Sequence, residues 1–251
     1  MKTITIVTAY YEIKSKFPPS QYWKWINSFC SLPIHLCIFT SPNLVVKFTL
    51  LRDKYMDKTN IIPLKFEELD HYKYITDYRK NICIDPNKKH SAELYIIWAE
   101  KVKFVMKTIN LNPFNSEKFI WCDIGIIRRP ETRLFFLGKF FPNGDKIQDN
   151  KLLLLLLCNF SAADKSCEKY GFPGQDLKGV RIGGGVQAGG IKGWTEHEKL
   201  WDQMLIKYFK TKRFAGQDQH ILGSLYLENP EFYCLQKNDR WNYLLEYLST
   251  E

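Results

Sequence analysis

Apolar and polar positions alternate from almost the first residue. Thr3 to Ala9 is alternating and β-branched, which predicts a strand beginning close to the amino terminus. A helix is predicted through Gln21-Tyr22-Trp23-Lys24-Trp25-Ile26-Asn27-Ser28-Phe29, with its aromatics spaced to face a core and Ser20 placed to cap it. Pro33 to Thr40 reads as a second strand, stopped by Ser41-Pro42. A helix over about Leu44 to Tyr55 and a short strand over Asn60 to Leu64 complete a β-α-β-α-β opening. That alternation predicts an α/β fold: a mostly parallel central sheet with helices on both faces.

Residues 65–90 are polar and include the turn sequence Asp85-Pro86-Asn87-Lys88-Lys89. Leu94, Ile97, Trp98, Lys101, Val105 and Ile109 then recur at three- and four-residue spacing, which predicts one helix from a Ser91 cap to about Asn110. It leads, through the turn-like Asn110 to Ser116, into Lys118-Phe119-Ile120-Trp121-Cys122-Asp123-Ile124-Gly125. This is a short apolar run that reads as a buried strand and delivers a single carboxylate at its end. In open α/β sheets ligands bind just beyond the carboxyl ends of the strands, which makes Asp123 the leading candidate for chemistry.

The second half continues with an apolar strand at Leu152 to Cys158, far short of the roughly 20 residues that span a bilayer. A polar stretch from Asp164 to Gly179 follows and reads as a surface loop. Arg181-Ile182-Gly183-Gly184-Gly185-Val186-Gln187-Ala188-Gly189-Gly190-Ile191 places five glycines in eight residues. Such a segment can press its backbone against a ligand, adopt positive φ, or form a tight bend between two strands. It is neither a G-x-G-x-x-G turn after a strand nor a phosphate loop ending in Gly-Lys-Ser/Thr. Trp194 precedes an amphipathic helix over about Glu196 to Lys210. Phe214-Ala215-Gly216-Gln217-Asp218-Gln219-His220 then gathers a carboxylate, two amides and an imidazole at a helix start, where Gly216 or Asp218 could equally serve as the cap. Trp241 to Leu248 reads as a closing helix.

Composition narrows the function classes. The chain has 251 residues, 45% hydrophobic and 25% charged, with no repeat or linker, as expected of one globular unit. The 15% aromatic content suits either a cleft for a base or sugar ring, or simply an aromatic core. Net charge is +9, which favours anionic partners, but the basic residues form no long arm. The densest groups are Lys88-Lys89, Arg128-Arg129 and Lys207 to Arg213. Seven scattered cysteines without a C-x-x-C pair argue against a disulfide framework and a zinc site, and for a reducing compartment. The first ten residues are too short and too polar for a signal peptide, and without an apparent membrane segment a cytoplasmic location is expected.

Six stretches in order resemble the HtrL/YibB-like family of putative glycosyltransferases. They are Thr5 to Tyr11, Ser91 to Tyr95 with Trp98 and Lys101, Asn112-Pro113-Phe114, Trp121 to Gly125, Gly184 to Gly190 with Trp194, and Gly216 to Gln219. The resemblance implies a glycosyltransferase-A type fold, a nucleotide-sugar-binding half over about 1–125 and an acceptor-binding half over about 126–251. It also implies a nucleotide-sugar donor, UDP-linked being the expected class, a glycan or glycoconjugate acceptor, and a divalent metal, Mn²⁺ or Mg²⁺. The Asp-x-Asp motif of that fold is incomplete here: with Asp123 as either carboxylate, Trp121 or Gly125 stands in the other place. A hard cation at Asp123 would have to complete its shell from the diphosphate and water.

On that reading Thr8, Ala9 and Tyr10 would contact the base and ribose, and Asp123 with Gly125, Lys101, Arg79 and Ser91 would hold the rest of the donor. Asp218 would supply the second carboxylate, as general base or as a sugar-binding group. Gly184, Gly185, Gln187, Gly189 and Gly190 would shape the acceptor side, and Trp194 would either stack on a sugar or belong to the core. Two rival classes are a nucleotidyltransferase and a basic nucleic-acid-binding module. The first lacks a glycine-rich basic loop after the first strand, and the second lacks clustered basic residues or a recognition motif, so no stable nucleic-acid complex is expected. The basic surface would still allow peripheral contact with membrane-bound acceptors.

Overall fold

The computed structural model describes residues 3–85, 90–174 and 179–251. The Pro86 to Lys89 part of the expected turn, its Lys88-Lys89 pair, and Gln175 to Lys178 of the expected 164–179 loop lie outside the described residues.

The first half carries strands β1 (Ile4–Tyr10), β2 (Leu36–Thr40), β3 (Thr59–Pro63) and β4 (Lys118–Cys122). Between them lie helices α1 (Pro19–Cys30), α2 (Val45–Arg52), α3 (Ile75–Asn81), α4 (Ala92–Ala99) and α5 (Lys101–Leu111). The second half carries α6 (Pro130–Phe136), β5 (Leu152–Leu156), α7 (Ala162–Lys165), β6 (Ile182–Gly190), α8 (Ile191–Lys210), α9 (Asp218–Glu228), β7 (Tyr233–Lys237) and α10 (Tyr243–Tyr247). The seven strands form one sheet in the order β3-β2-β1-β4-β6-β5-β7. Every pairing is parallel except those of β6, which runs against β4 and β5. Six strands therefore end on the same edge, and β6 begins there. The expected α/β class with a mostly parallel sheet and helices on both faces is what the chain forms.

Alternation along the strands sorts the core into two layers. Val7, Ala9, Phe119 and Trp121 face α4, α5, α8 and α9, meeting Ile96, Val105, Met204 and Leu222. Ile4, Ile6, Ile120, Cys122, Val186 and Ala188 face the other way, onto Phe29 of α1, Phe48 of α2, Phe136 of α6 and Leu244 of α10. One fully buried cation braces the second layer: Arg52 donates to the carbonyls of Cys30 (2.9 Å), Leu32 (2.6 Å) and Ile34 (3.0 Å) and to Thr59 Oγ1 (2.8 Å). It satisfies carbonyls that the end of α1 and the following loop leave without partners. No helix among the described residues is long and apolar enough to cross a membrane.

Several local expectations need correction. Pro18, not Ser20, takes the cap position of α1, and Pro19 opens the helix, where its missing N–H and fixed φ cost nothing. The helix expected from Ser91 to Asn110 is two, joined at Glu100. That buried carboxylate accepts from the N–H groups of Asp70 and His71, both at 2.9 Å, and lies 2.6 Å from His71 Nδ1. The glycine-rich segment is no bend: Gly183 to Gly190 lie inside the nine-residue strand β6, and none has positive φ. Strand β6 passes straight into α8, five residues earlier than the pattern suggested.

Candidate functional site

Three charged residues, distant in sequence, meet at the edge where the parallel strands end. Asp123 follows β4 directly. Its N–H donates to Gly185 O (2.8 Å), which prolongs the ladder with β6, and its carbonyl accepts from Ile126 N–H (3.0 Å) in a tight turn. Lys101 is the first residue of α5 and Asp218 the first of α9. The Lys101 ammonium donates to Asp218 Oδ2 at 2.7 Å and to Gly184 O at 2.9 Å, and lies 3.0 Å from Asp123 Oδ1. Those three acceptors match its three N–H donors.

The two carboxylates differ in setting. The side chain of Asp123 is 43% exposed, whereas those of Lys101 and Asp218 are 5% exposed. Asp123 Oδ1 also accepts from Trp121 Nε1 at 2.9 Å, because residues two apart on a strand share a face. That leaves Oδ2 facing outward. Asp218 Oδ1 accepts from Gln219 N–H at 2.9 Å, so this carboxylate is engaged at both oxygens. Burial opposes the charge of Lys101, but the carboxylates of Asp123 and Asp218 outweigh it and hold the ammonium above its ordinary value. Burial pushes the Asp218 carboxyl up, against the pull of Lys101. Asp218 does not cap α9 as the sequence suggested: Gln217 stands at the cap position and the Asp218 side chain turns to Lys101.

The glycines of β6 make room for this cluster. A Cβ on Gly184 would collide with the Asp218 carboxylate, whose Cγ would be 3.0 Å away, while one on Gly185 would sit 3.4 Å from Asp123 Oδ2. The remaining glycines serve a different purpose. Gly189 and Gly190 pair with Phe119 and Lys118 at the opposite edge of the sheet, where an added Cβ would meet Lys151 O and the Asp149 backbone. Trp194 lies there too, fully buried and donating to Phe119 O at 3.0 Å. Because β6 runs the full length of β4, the expected acceptor group of Gly189, Gly190 and Trp194 is separated from Asp123 by the whole strand. Gln187 is buried, with Nε2 3.4 Å from Gly184 O, so it supports the site from behind.

On the expected donor side, Thr8, Ala9 and Tyr10 end β1 beside β4, and all three are buried. Tyr10 packs edge-on against Trp23, at 5.1 Å between centroids, and its carbonyl accepts from Thr40 Oγ1. Thr8 Oγ1 is buried without a hydrogen-bond partner among the described residues. Ser91 caps α4 by accepting from Leu94 N–H, and donates to Lys14 O in the loop after β1. Arg79 is exposed in the last turn of α3, and no described hydrogen bond or ion pair links it to the charged triad.

Two features were not singled out from sequence. Arg128, noted only as part of a basic pair, donates from Nε to Gly125 O at 3.2 Å and lies over the rings of Trp25 (4.8 Å) and Phe17 (5.3 Å), an exposed cation at the lip of the Asp123 turn. Gly125 itself is covered by Trp25 and Tyr22. Beside Ser91, the His90 ring lies 3.1 Å from the buried carboxylate of Asp85, which also accepts from Tyr95 Oη at 2.7 Å. Neither arrangement follows a spacing rule.

The residues present do not fit a divalent metal. Among the described residues no three His, Cys, Asp or Glu side chains are grouped to hold one. The oxygens that converge in the cluster already surround an ammonium, which leaves Asp123 Oδ2 as the one carboxylate oxygen of the pair turned outward. A hard cation wants six or more oxygen ligands.

A family model described as "Bacterial protein of unknown function (HtrL_YibB)" matches residues 2–247. No curated protein matches the chain. Among solved structures, mouse xyloside xylosyltransferase 1 in its apo form is similar at 11% identity and a TM-score of 0.48, over 93% of this chain and 85% of that one. The 4-diphosphocytidyl-2C-methyl-D-erythritol synthase from Anaerococcus prevotii DSM 20548 is similar at 10% identity and a TM-score of 0.42, over 99% of this chain and 95% of that one.

Proposed function

The chain belongs to the HtrL_YibB family, and from that premise we propose that it is a glycosyltransferase of the glycosyltransferase-A type. It moves a sugar from a nucleotide-sugar donor, with UDP-linked donors the expected class, to a hydroxyl of a glycan or glycoconjugate. The observation that supports this reading is the Lys101-Asp123-Asp218 triad at the carboxyl edge of the sheet. Drawing the charges of Lys101 and Asp218 out of water there costs stability that a purely structural core would avoid, and perturbed ionisable groups beside an open sheet edge mark functional sites.

In this proposal the donor lies across the ends of β1 and β4. The outward Oδ2 of Asp123 accepts a hydrogen bond from a donor hydroxyl, and Arg128 offsets the charge of the diphosphate, where Lys101 and Arg79 were expected to assist Asp123. As the anomeric carbon–oxygen bond breaks, its electron pair leaves on the diphosphate, the acceptor hydroxyl oxygen bonds to that carbon in its place, and the hydroxyl proton passes through water to the released diphosphate. Asp218 was expected to act as general base or as a sugar-binding group. Held by Lys101 and by Gln219 N–H, it is supported instead as a positioning residue that fixes Lys101 and, through it, Asp123.

Incubating the protein with nucleotide sugars and following the released nucleotide tests the reading. Release of nucleoside diphosphate, lost on Asp123→Asn, is the expected result. Release of pyrophosphate from a nucleoside triphosphate and a sugar phosphate would replace it with the nucleotidyltransferase reading.

A further inference from the structure

The charged cluster has the composition of a cation site. Two carboxylates, from Asp123 and Asp218, and one backbone carbonyl, from Gly184, converge on a single point. Such oxygen donors suit Mg²⁺ or Mn²⁺. The point is occupied by the Lys101 ammonium, at 2.7 to 3.0 Å from all three oxygens. Lys101 reaches it from the start of α5 with its side chain almost wholly buried, and both carboxylates keep it charged. A divalent ion placed among the same oxygens would sit against that ammonium, and charge repulsion at such range in a poorly hydrated site is severe.

We infer that Lys101 is a built-in cation that replaces a divalent metal between Asp123 and Asp218, so that the free protein binds no Mn²⁺ or Mg²⁺ at this site. The ammonium neutralises one of the two carboxylates and fixes the outward oxygen of Asp123. The packing agrees with a site shaped around it. Gly184 has no side chain, so its carbonyl and the Asp218 carboxylate reach Lys101 together, and Trp121 Nε1 secures the Asp123 oxygen that Lys101 shares.

The inference turns on removal of the ammonium. Lys101→Met removes the ammonium and leaves two carboxylates and a carbonyl around the space it filled, where a hard ion can complete its shell with water. The probe is Mn²⁺ alone, read by the loss of free-ion signal in electron paramagnetic resonance and by the shift in melting temperature. No donor is needed, so the outcome is separate from that of the transferase reading.

Wild type is expected to leave the free Mn²⁺ signal unchanged and to melt at the same temperature with or without the ion. Lys101→Met is expected to melt lower than wild type, to bind Mn²⁺ at least about tenfold more tightly than wild type, and to regain melting temperature when it does. Lys101→Met/Asp218→Asn carries one fewer buried charge, which protects its folding, and should lose that affinity again. Mn²⁺ binding by wild type that Asp123→Asn abolishes would overturn the inference. So would a folded Lys101→Met that takes up no more Mn²⁺ than wild type, or a double variant that keeps the tenfold gain.

Discussion

Gly184 and Gly185 are neighbours in β6, yet alanine should affect them very differently. A methyl at Gly184 would fall on the Asp218 carboxylate, with Cγ at 3.0 Å and Oδ1 at 3.2 Å, both well inside ordinary contact. The carboxylate has no soft exit, because it is anchored at the first residue of α9 and hydrogen-bonded to Lys101 at 2.7 Å and Gln219 N–H at 2.9 Å. Overpacking a tight core costs about 1–3 kcal/mol, and breaking a buried ion pair costs about 3–5 kcal/mol when one charge is left alone. Asp218 would be displaced rather than deleted, and Lys101 keeps Asp123, so Gly184→Ala should lose about 2–4 kcal/mol. For a chain of this length that lowers the melting temperature by roughly 4–16 °C.

At Gly185 the methyl would stand 3.4 Å from Asp123 Oδ2, an ordinary contact on a partly exposed strand position, and the loss should stay under about 1 kcal/mol. Urea unfolding of the two variants beside wild type, with unchanged m-values, measures the difference. Equal losses at the two positions, or a silent Gly184→Ala, would refute the picture of a strand shaped around Asp218.

Arg52→Met should cost about 4 kcal/mol or more, since it strands the carbonyls of Cys30, Leu32 and Ile34 in the core. Arg52→Lys should recover only part of that, because one ammonium cannot reproduce the fork; chemical denaturation reads both. Acid should weaken the fold through His197, which burial holds down to about 3, against about 6.5 in the unfolded chain. Its contribution is fully present above pH 6.5 and is lost as pH falls towards 3, because the unfolded chain takes up a proton that the native core refuses. The slope is up to about 1.4 kcal/mol per pH unit. His197→Gln should flatten unfolding free energy against pH between 6.5 and 4.5 by up to about one proton, and an unchanged slope would contradict the assignment.

Much of the sheet was legible because its strands carry their own signal. β2 and β4 are buried on both faces and read as apolar runs, β1 shows a β-branched alternation, and the stretches over 21–29 and 91–110 carry clear helical periodicity, whereas α3 in the polar 65–90 stretch and the edge strand β7 were not read. Asp123 could be found because its place at the end of such a run is a local property. β6 was hidden: glycine has low strand propensity, and what makes the segment a strand is pairing with β4 and β5, residues far away in sequence. The same non-locality hid the true partners of Lys101. Its spacing fitted an amphipathic helix, but the helix pattern could not say that its ammonium meets carboxylates 22 and 117 positions further on. Asp218 looked like a cap because it opens a helix, and only the turn of its side chain towards Lys101 separates the two roles. Arg52 carried no motif, and its worth lies in three carbonyls that a loop happens to aim at it.

The central claim is that Asp123 presents a nucleotide-sugar site. Its most direct test is calorimetric titration of wild type and Asp123→Asn with a panel of nucleoside diphosphates and nucleotide sugars. The substitution keeps the shape of the side chain but removes one of the two carboxylates that hold the buried Lys101 ammonium, so the variant should melt lower than wild type, and both are titrated at a temperature where each is folded. Wild type should bind one nucleotide class, and Asp123→Asn should bind it at least about tenfold more weakly, as expected when a charge-assisted hydrogen bond worth roughly 1.5–3 kcal/mol is lost. Equal affinity in the two proteins, or no binding across the panel, would contradict the claim.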